Sequence, residues 1–343
     1  MRRAAPLLAA AIAAALLCAV LGGLLRAGVV VPLPADWLGR AAVDHAALMI
    51  CAFMGTVIGI ERAVALKWWP AWLAPASSAV AGIALLAGAR EAGAALFVLA
   101  GVVFTLASVL VVLRQPVRHT AVLLLGAVCW LAGNIVFALF EAAPTAVPFW
   151  FAFLVVTIAA ERLEMARMLP QRPRSFALLV ALLALLVAGA ALGPFLYGGA
   201  LLGLAVWLVV FDIARRTMHA QGLSRFMALC LLAGYCWLAI AGVAWMLGMR
   251  DIALHALGLG FVLSMMLAHA PVILPAVTGW KVRYSGIFYV PLALLQVSLA
   301  LRILSQREGA VANALALAAF AGVMAAAVSR ARARPGRPAS RYA

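Results

Sequence analysis

A chain of 343 residues is long enough for two soluble domains, but 68% apolar against 10% charged residues excludes them, since charged residues alone make up about 25% of soluble chains. The composition is that of a polytopic membrane protein. A net charge of +16 does not point to nucleic acid, because the basic residues fall in short clusters between apolar runs and no basic, aromatic-bearing domain exists. Cutting the chain at charged and Pro/Gly-rich breaks gives apolar runs near 7–27, 42–60, 70–88, 92–113, 119–140, 146–163, 175–194, 198–214, 226–248, 252–277, 284–303 and 309–329. At about 20 apolar residues per crossing these twelve runs use the whole length and leave no room for a soluble domain.

The expected fold is therefore all-α: a bundle of about twelve transmembrane helices over residues 1–328, in contact with the lipid bilayer. The Arg2-Arg3 run is read as a retained span, being long for a signal h-region and without a clean A-x-A site. Residues 329–343, with five arginines and a proline pair, read as a disordered basic cytoplasmic tail. Twelve spans with both termini cytoplasmic place 20 of the 26 Lys and Arg inside. Only Arg26, Arg40, Arg90, Arg250, Arg302 and Arg307 lie outside. This asymmetry indicates a bacterial inner (cytoplasmic) membrane protein. The five cysteines, Cys18, Cys51, Cys129, Cys230 and Cys236, all lie within apolar runs and form no CxxC, so they read as small hydrophobes.

Ionisable residues inside a bilayer are costly and mark function, which directs attention to the histidines. His119 and His219 fall in basic loops and read as solvated. His45 lies three or four residues inside the outer end of the second span, and His255 about four inside the outer end of the tenth. Two imidazoles at equal depth on different helices are what a bis-histidine haem requires; interfacial histidines satisfied by water or carbonyls are the plain alternative. Asp251, four residues before His255, is placed to accept the proton of the ring nitrogen left over by a metal, or else to cap the helix. His269, about 21 Å deeper than His255 on a regular helix, cannot share its metal. It marks a second site, a proton path or a polar knot beside Pro271 and Pro275. Asn134, the one amide in its apolar span, is expected to bond to a neighbouring helix.

The run His45-Ala-Ala-Leu-Met49-Ile-Cys-Ala-Phe53-Met-Gly55 resembles the second helix of haem–copper oxidase subunit I, in which a haem-ligating histidine is followed four residues later by methionine. The run His255-Ala-Leu-Gly-Leu-Gly-Phe-Val-Leu-Ser-Met-Met266 resembles that fold's tenth helix and, more closely, the His-Ala-Leu helix of the NnrS family of haem- and copper-containing membrane proteins. The likeness covers about 40 residues. It implies a b-type haem on His45 and His255, with Met49 and Asp251 beside it, copper as a further metal, and a periplasmic electron donor; His269 stands as the metal-ligand candidate of the second site. It implies electron transfer or handling of nitric-oxide and redox stress. The sixth and seventh spans carry no histidine and Ala253 stands two residues before His255, so the oxidases' binuclear oxygen-reducing centre is not expected.

Acids next to arginines close three spans: Glu61-Arg62, Glu161-Arg162 with Glu164 and Arg167, and Asp212 with Arg215 and Arg216. The spacings of Glu164/Arg167 and Asp212/Arg216 suit intrahelical pairs in a cytoplasmic collar. A proton inlet or transporter gate is the alternative, and with it a cofactor-free permease whose histidines and acids line a substrate path. A relative that keeps the fold without haem and acts in assembly of other membrane complexes is a third reading.

Overall fold

The computed structural model describes residues 5–33, 36–140, 143–166 and 173–333. Among these there is no strand; the fold is all-α. Helix α1 spans Ala5–Arg26 and the short α2 spans Asp36–Val43. Eleven further helices are long and apolar enough to cross a membrane. They are α3 His45–Leu66, α4 Trp69–Ala87, α5 Arg90–Arg114, α6 Arg118–Phe140, α7 Ala143–Met165, α8 Pro173–Leu192, α9 Pro194–Phe211, α10 Gly222–Met246, α11 Arg250–Ala276, α12 Gly286–Leu304 and α13, which runs Gln306–Ala333. With the 22-residue α1 this makes twelve apolar helices at the expected positions, and the chain is a multi-pass membrane protein.

The two closest pairs of runs are separate helices for a local reason. Gly88 and Gly193 take φ of +89° and +143°, a region that glycine enters freely and that ends a helix, and Pro194 then opens the next one. At the other end of the chain, α13 continues to Ala333, five residues into the expected tail, because arginine and alanine propagate a helix well. The rest of that tail, 334–343, lies outside the described residues, as does Arg167.

Two stretches are π-helical: Leu48–Gly55 in α3 and Ala256–Leu263 in α11. Each begins within three residues after a candidate ligand histidine. Such i→i+5 bonding turns the chain less per residue than an α-helix does, so the spacing of His255 and His269 is not that of a uniform helix.

Small residues let the helices approach. On α9 and α10 a Cβ added at Gly242 would stand 2.7 Å from the Gly198 carbonyl oxygen and 2.8 Å from Leu202 N, so two backbones touch there. Within the bundle, Asn134 of α6 bonds across to three neighbours, as the sequence indicates. Its Nδ2 donates to Phe97 O (2.7 Å) on α5, and its Oδ1 accepts from Trp150 Nε1 (2.9 Å) on α7 and from Cys51 Sγ (3.5 Å) on α3. Cys51 in turn accepts from Trp130 Nε1 at 3.4 Å, so this cysteine belongs to the polar web as well as to the apolar packing. Asn134→Leu would leave the Trp150 N–H unpaired. It is expected to cost about 2 kcal/mol, read as a lower thermal midpoint in detergent.

Candidate functional site

His45 opens α3 rather than lying a turn inside it. The short α2 ends at Val43, and Asp44 (φ −96°, ψ 19°) interrupts the helix, its carboxylate bound by Arg90 of α5. Burial raises the Asp44 carboxyl above the ordinary carboxylate range, and Arg90 pulls it back. The break places the His45 ring against α1. There Nδ1 is 2.7 Å from Ala19 O, and a Cβ at Gly23 would come within 2.8 Å of Cε1. A carbonyl accepts only, so Nδ1 carries a proton, and in the neutral ring Nε2 keeps its lone pair.

His255 is held in the same way by its own helix. Its Nδ1 is 2.8 Å from Asp251 O and 3.3 Å from Asp251 Oδ1. Asp251 is not the helix cap, since Met249 occupies that position and Asp251 falls in the first turn. Its carboxylate is instead fixed by Arg302 of α12, with Nε to Oδ2 at 3.0 Å and Nη2 to Oδ1 at 2.9 Å, and by Gln306 Nε2 at 3.3 Å. Neither histidine's Nε2 has a hydrogen-bond partner among the described residues.

Both histidines line one cavity of about 150 Å³ between α1, α3, α7, α11, α12 and α13. Met49, Phe53 and Met54 of α3 form one wall, with Phe151 of α7 beside them. Gly258, Val262 and Met266 of α11 form another, and Arg302 and Asn313 supply polar atoms. Thus the structure brings together four of the five residues singled out from the sequence: His45, Met49, His255 and, through its hold on His255, Asp251.

The fifth, His269, stands in a different group. Its Nδ1 is 2.7 Å from Met265 O and its Nε2 accepts from Arg162 Nη2 at 2.9 Å, so both ring nitrogens are engaged. Arg162 is buried, and its Nε lies 3.9 Å from Asp212 Oδ2. That carboxylate also receives Tyr235 OH (3.0 Å) and Ala214 N (2.6 Å). Asp212 does not pair with Arg216 as the i, i+4 spacing suggests. The helix stops at Phe211 and Asp212 is extended (ψ 152°), so its side chain caps the following turn and reaches across to α7. Burial raises its carboxyl above the usual range, and Arg162 opposes this. Arg62, Glu61, Glu161 and Glu164 form a second charged group, with Arg62 over the Phe104 ring at 6.0 Å and His119 Nε2 3.9 Å from Glu164. His119 is thus part of a helix and paired, whereas His219 is exposed.

No three or more His, Cys, Asp or Glu among the described residues group closely enough to hold a metal ion by themselves. His45, His255 and His269 therefore make no three-ligand site. Two imidazoles are what a haem needs, and the donor set fits it in kind: two histidines from different helices, each with Nδ1 fixed and Nε2 without a partner, in a mainly apolar chamber. A volume near 150 Å³ accommodates a benzene-sized ring. A tetrapyrrole is several times larger, so its entry requires the lining side chains, Met49, Met54 and Met266 among them, to move and the surrounding helices to part. Of the lining residues, Gly23, Arg302 and Asn313 were not singled out from sequence. Asn313 carried a signal there, a lone amide in an alanine-rich run like Asn134.

The chain belongs to the family described as a domain of unknown function, DUF8744, whose pattern matches residues 3–330. It has no match among curated proteins or solved structures.

Proposed function

We propose that the protein is a haem-binding protein of the bacterial inner membrane, with His45 and His255 as the two axial ligands of one b-type haem. One observation supports the reading: two histidines from different helices line the same apolar cavity with their Nε2 atoms unpartnered among the described residues. Bound there, a haem would supply one-electron redox chemistry, suited to electron transfer with a periplasmic donor or to redox and nitric-oxide stress handling. The chain's own part is to fix both imidazole tautomers through Ala19 O and Asp251, to brace Asp251 with Arg302, and to exclude water with Phe53, Phe151 and the methionines. Resemblance to the NnrS and oxidase helices supports the same assignment.

The test is the absorption spectrum of detergent-purified protein from haem-replete cells. A sharp Soret band with split visible bands on reduction is expected. A colourless preparation would overturn the reading. It would favour a permease, for which the buried Arg162–Asp212–His269 group at the other end of the bundle is the supporting observation.

A further inference from the structure

Asn313 of α13 is 4% exposed and lines the histidine cavity, yet neither its Nδ2 nor its Oδ1 has a hydrogen-bond partner. Buried amides are nearly always paired, and the residues around it on the wall, Ala310, Ala314 and Leu317, offer no side-chain partner. Gly309, one turn earlier, packs directly on the Arg302 backbone. Asn313 therefore faces the cavity about 6 Å deeper than Arg302, whose Nε and Nη2 are already committed to Asp251. An amide presents a donor and an acceptor side by side. A second amide or a protonated carboxyl answers both; of these a haem carries the carboxyl, whose C=O accepts from Nδ2 and whose O–H donates to Oδ1.

We infer that Asn313 anchors a carboxyl-bearing side group of the molecule that fills the cavity. This rests on the haem reading and goes beyond it, because it assigns the macrocycle's orientation to a residue that touches neither axial histidine's ring nitrogens. The amide left unpaired in the empty protein is a cost that the occupant removes.

The physical signature separates anchoring from structure. Leucine has nearly the shape of asparagine without its polar atoms, so Asn313→Leu should leave the empty protein equally or more heat-stable. It should nonetheless release haem faster. The full chain and its Asn313→Leu form, made in haem-starved cells, are loaded with protohaem or with protohaem dimethyl ester, and loss to excess apomyoglobin is timed. The expected result is about tenfold faster loss of protohaem from the variant, and little difference between the two proteins for the ester, which lacks the O–H donor. Equal protohaem retention by both proteins overturns the anchor and leaves the haem reading standing, and so does an equal loss of both haems by the variant. A parent protein that takes up neither haem overturns both.

Discussion

Replacing either His45 or His255 by alanine is expected to abolish the six-coordinate low-spin spectrum of the haem-loaded protein, while His269→Ala leaves it intact. The first two substitutions each remove one of the two unpartnered Nε2 atoms carried by the cavity's lining histidines, and no other histidine lines that cavity to replace it. The third removes a ring whose Nδ1 and Nε2 are already taken by Met265 O and Arg162, so no ligation is lost. The measurements are reduced and oxidised spectra and haem content per chain for the three variants in one background. Low-spin haem surviving in His45→Ala or His255→Ala would exclude shared axial ligation. Loss of one of two metal components in His269→Ala would instead place a second cofactor in the other half of the bundle.

The second large effect is on assembly. Gly242→Val introduces a branched side chain where Gly198 O and Leu202 N already stand within 2.8 Å of the missing Cβ, and backbone atoms cannot swing away as a side-chain tip can. The helices α9 and α10 have to part, at an expected cost of about 3 kcal/mol or more. Gly199→Val, whose added Cβ meets nothing within 4 Å, is the matched control. Thermal scans in detergent with size-exclusion profiles should show a collapsed or aggregated Gly242→Val protein beside a normal Gly199→Val protein. Equal midpoints would show that the crossing has more slack than its geometry allows.

The helices are legible in the sequence because each crossing requires its own apolar run and the breaks carry Gly, Pro or charge. That His45 and His255 line one cavity is legible only in part: equal depth in helices of the same direction allows them to meet, but does not make the two helices neighbours. What could not be read is tertiary. Asp212 and Arg216 have helical spacing, but nothing local reveals that the helix stops at Phe211, which frees Asp212 to reach Arg162. Asp44, where α2 and α3 part, is bound by Arg90, 46 residues on, a contact that no local pattern announces. The π stretches have no residue signature, since apolar runs such as Leu48–Gly55 would serve an α-helix equally well.

Those stretches act as phase adapters. Upstream of the one in α11, His255 faces the cavity; downstream of it, His269 meets Arg162. In α3, His45 lies against α1 on one side of the stretch, and Glu61 and Arg62 join the charged group on the other. Each helix thus serves two chemically unlike neighbourhoods whose relative bearing depends on the number of residues between them. Converting either segment to α winding at unchanged length would re-aim one end against the other by roughly 100°, because each of its eight residues would then turn the chain further. The winding of these two segments is therefore a determinant of the site in its own right, separate from which side chains they carry.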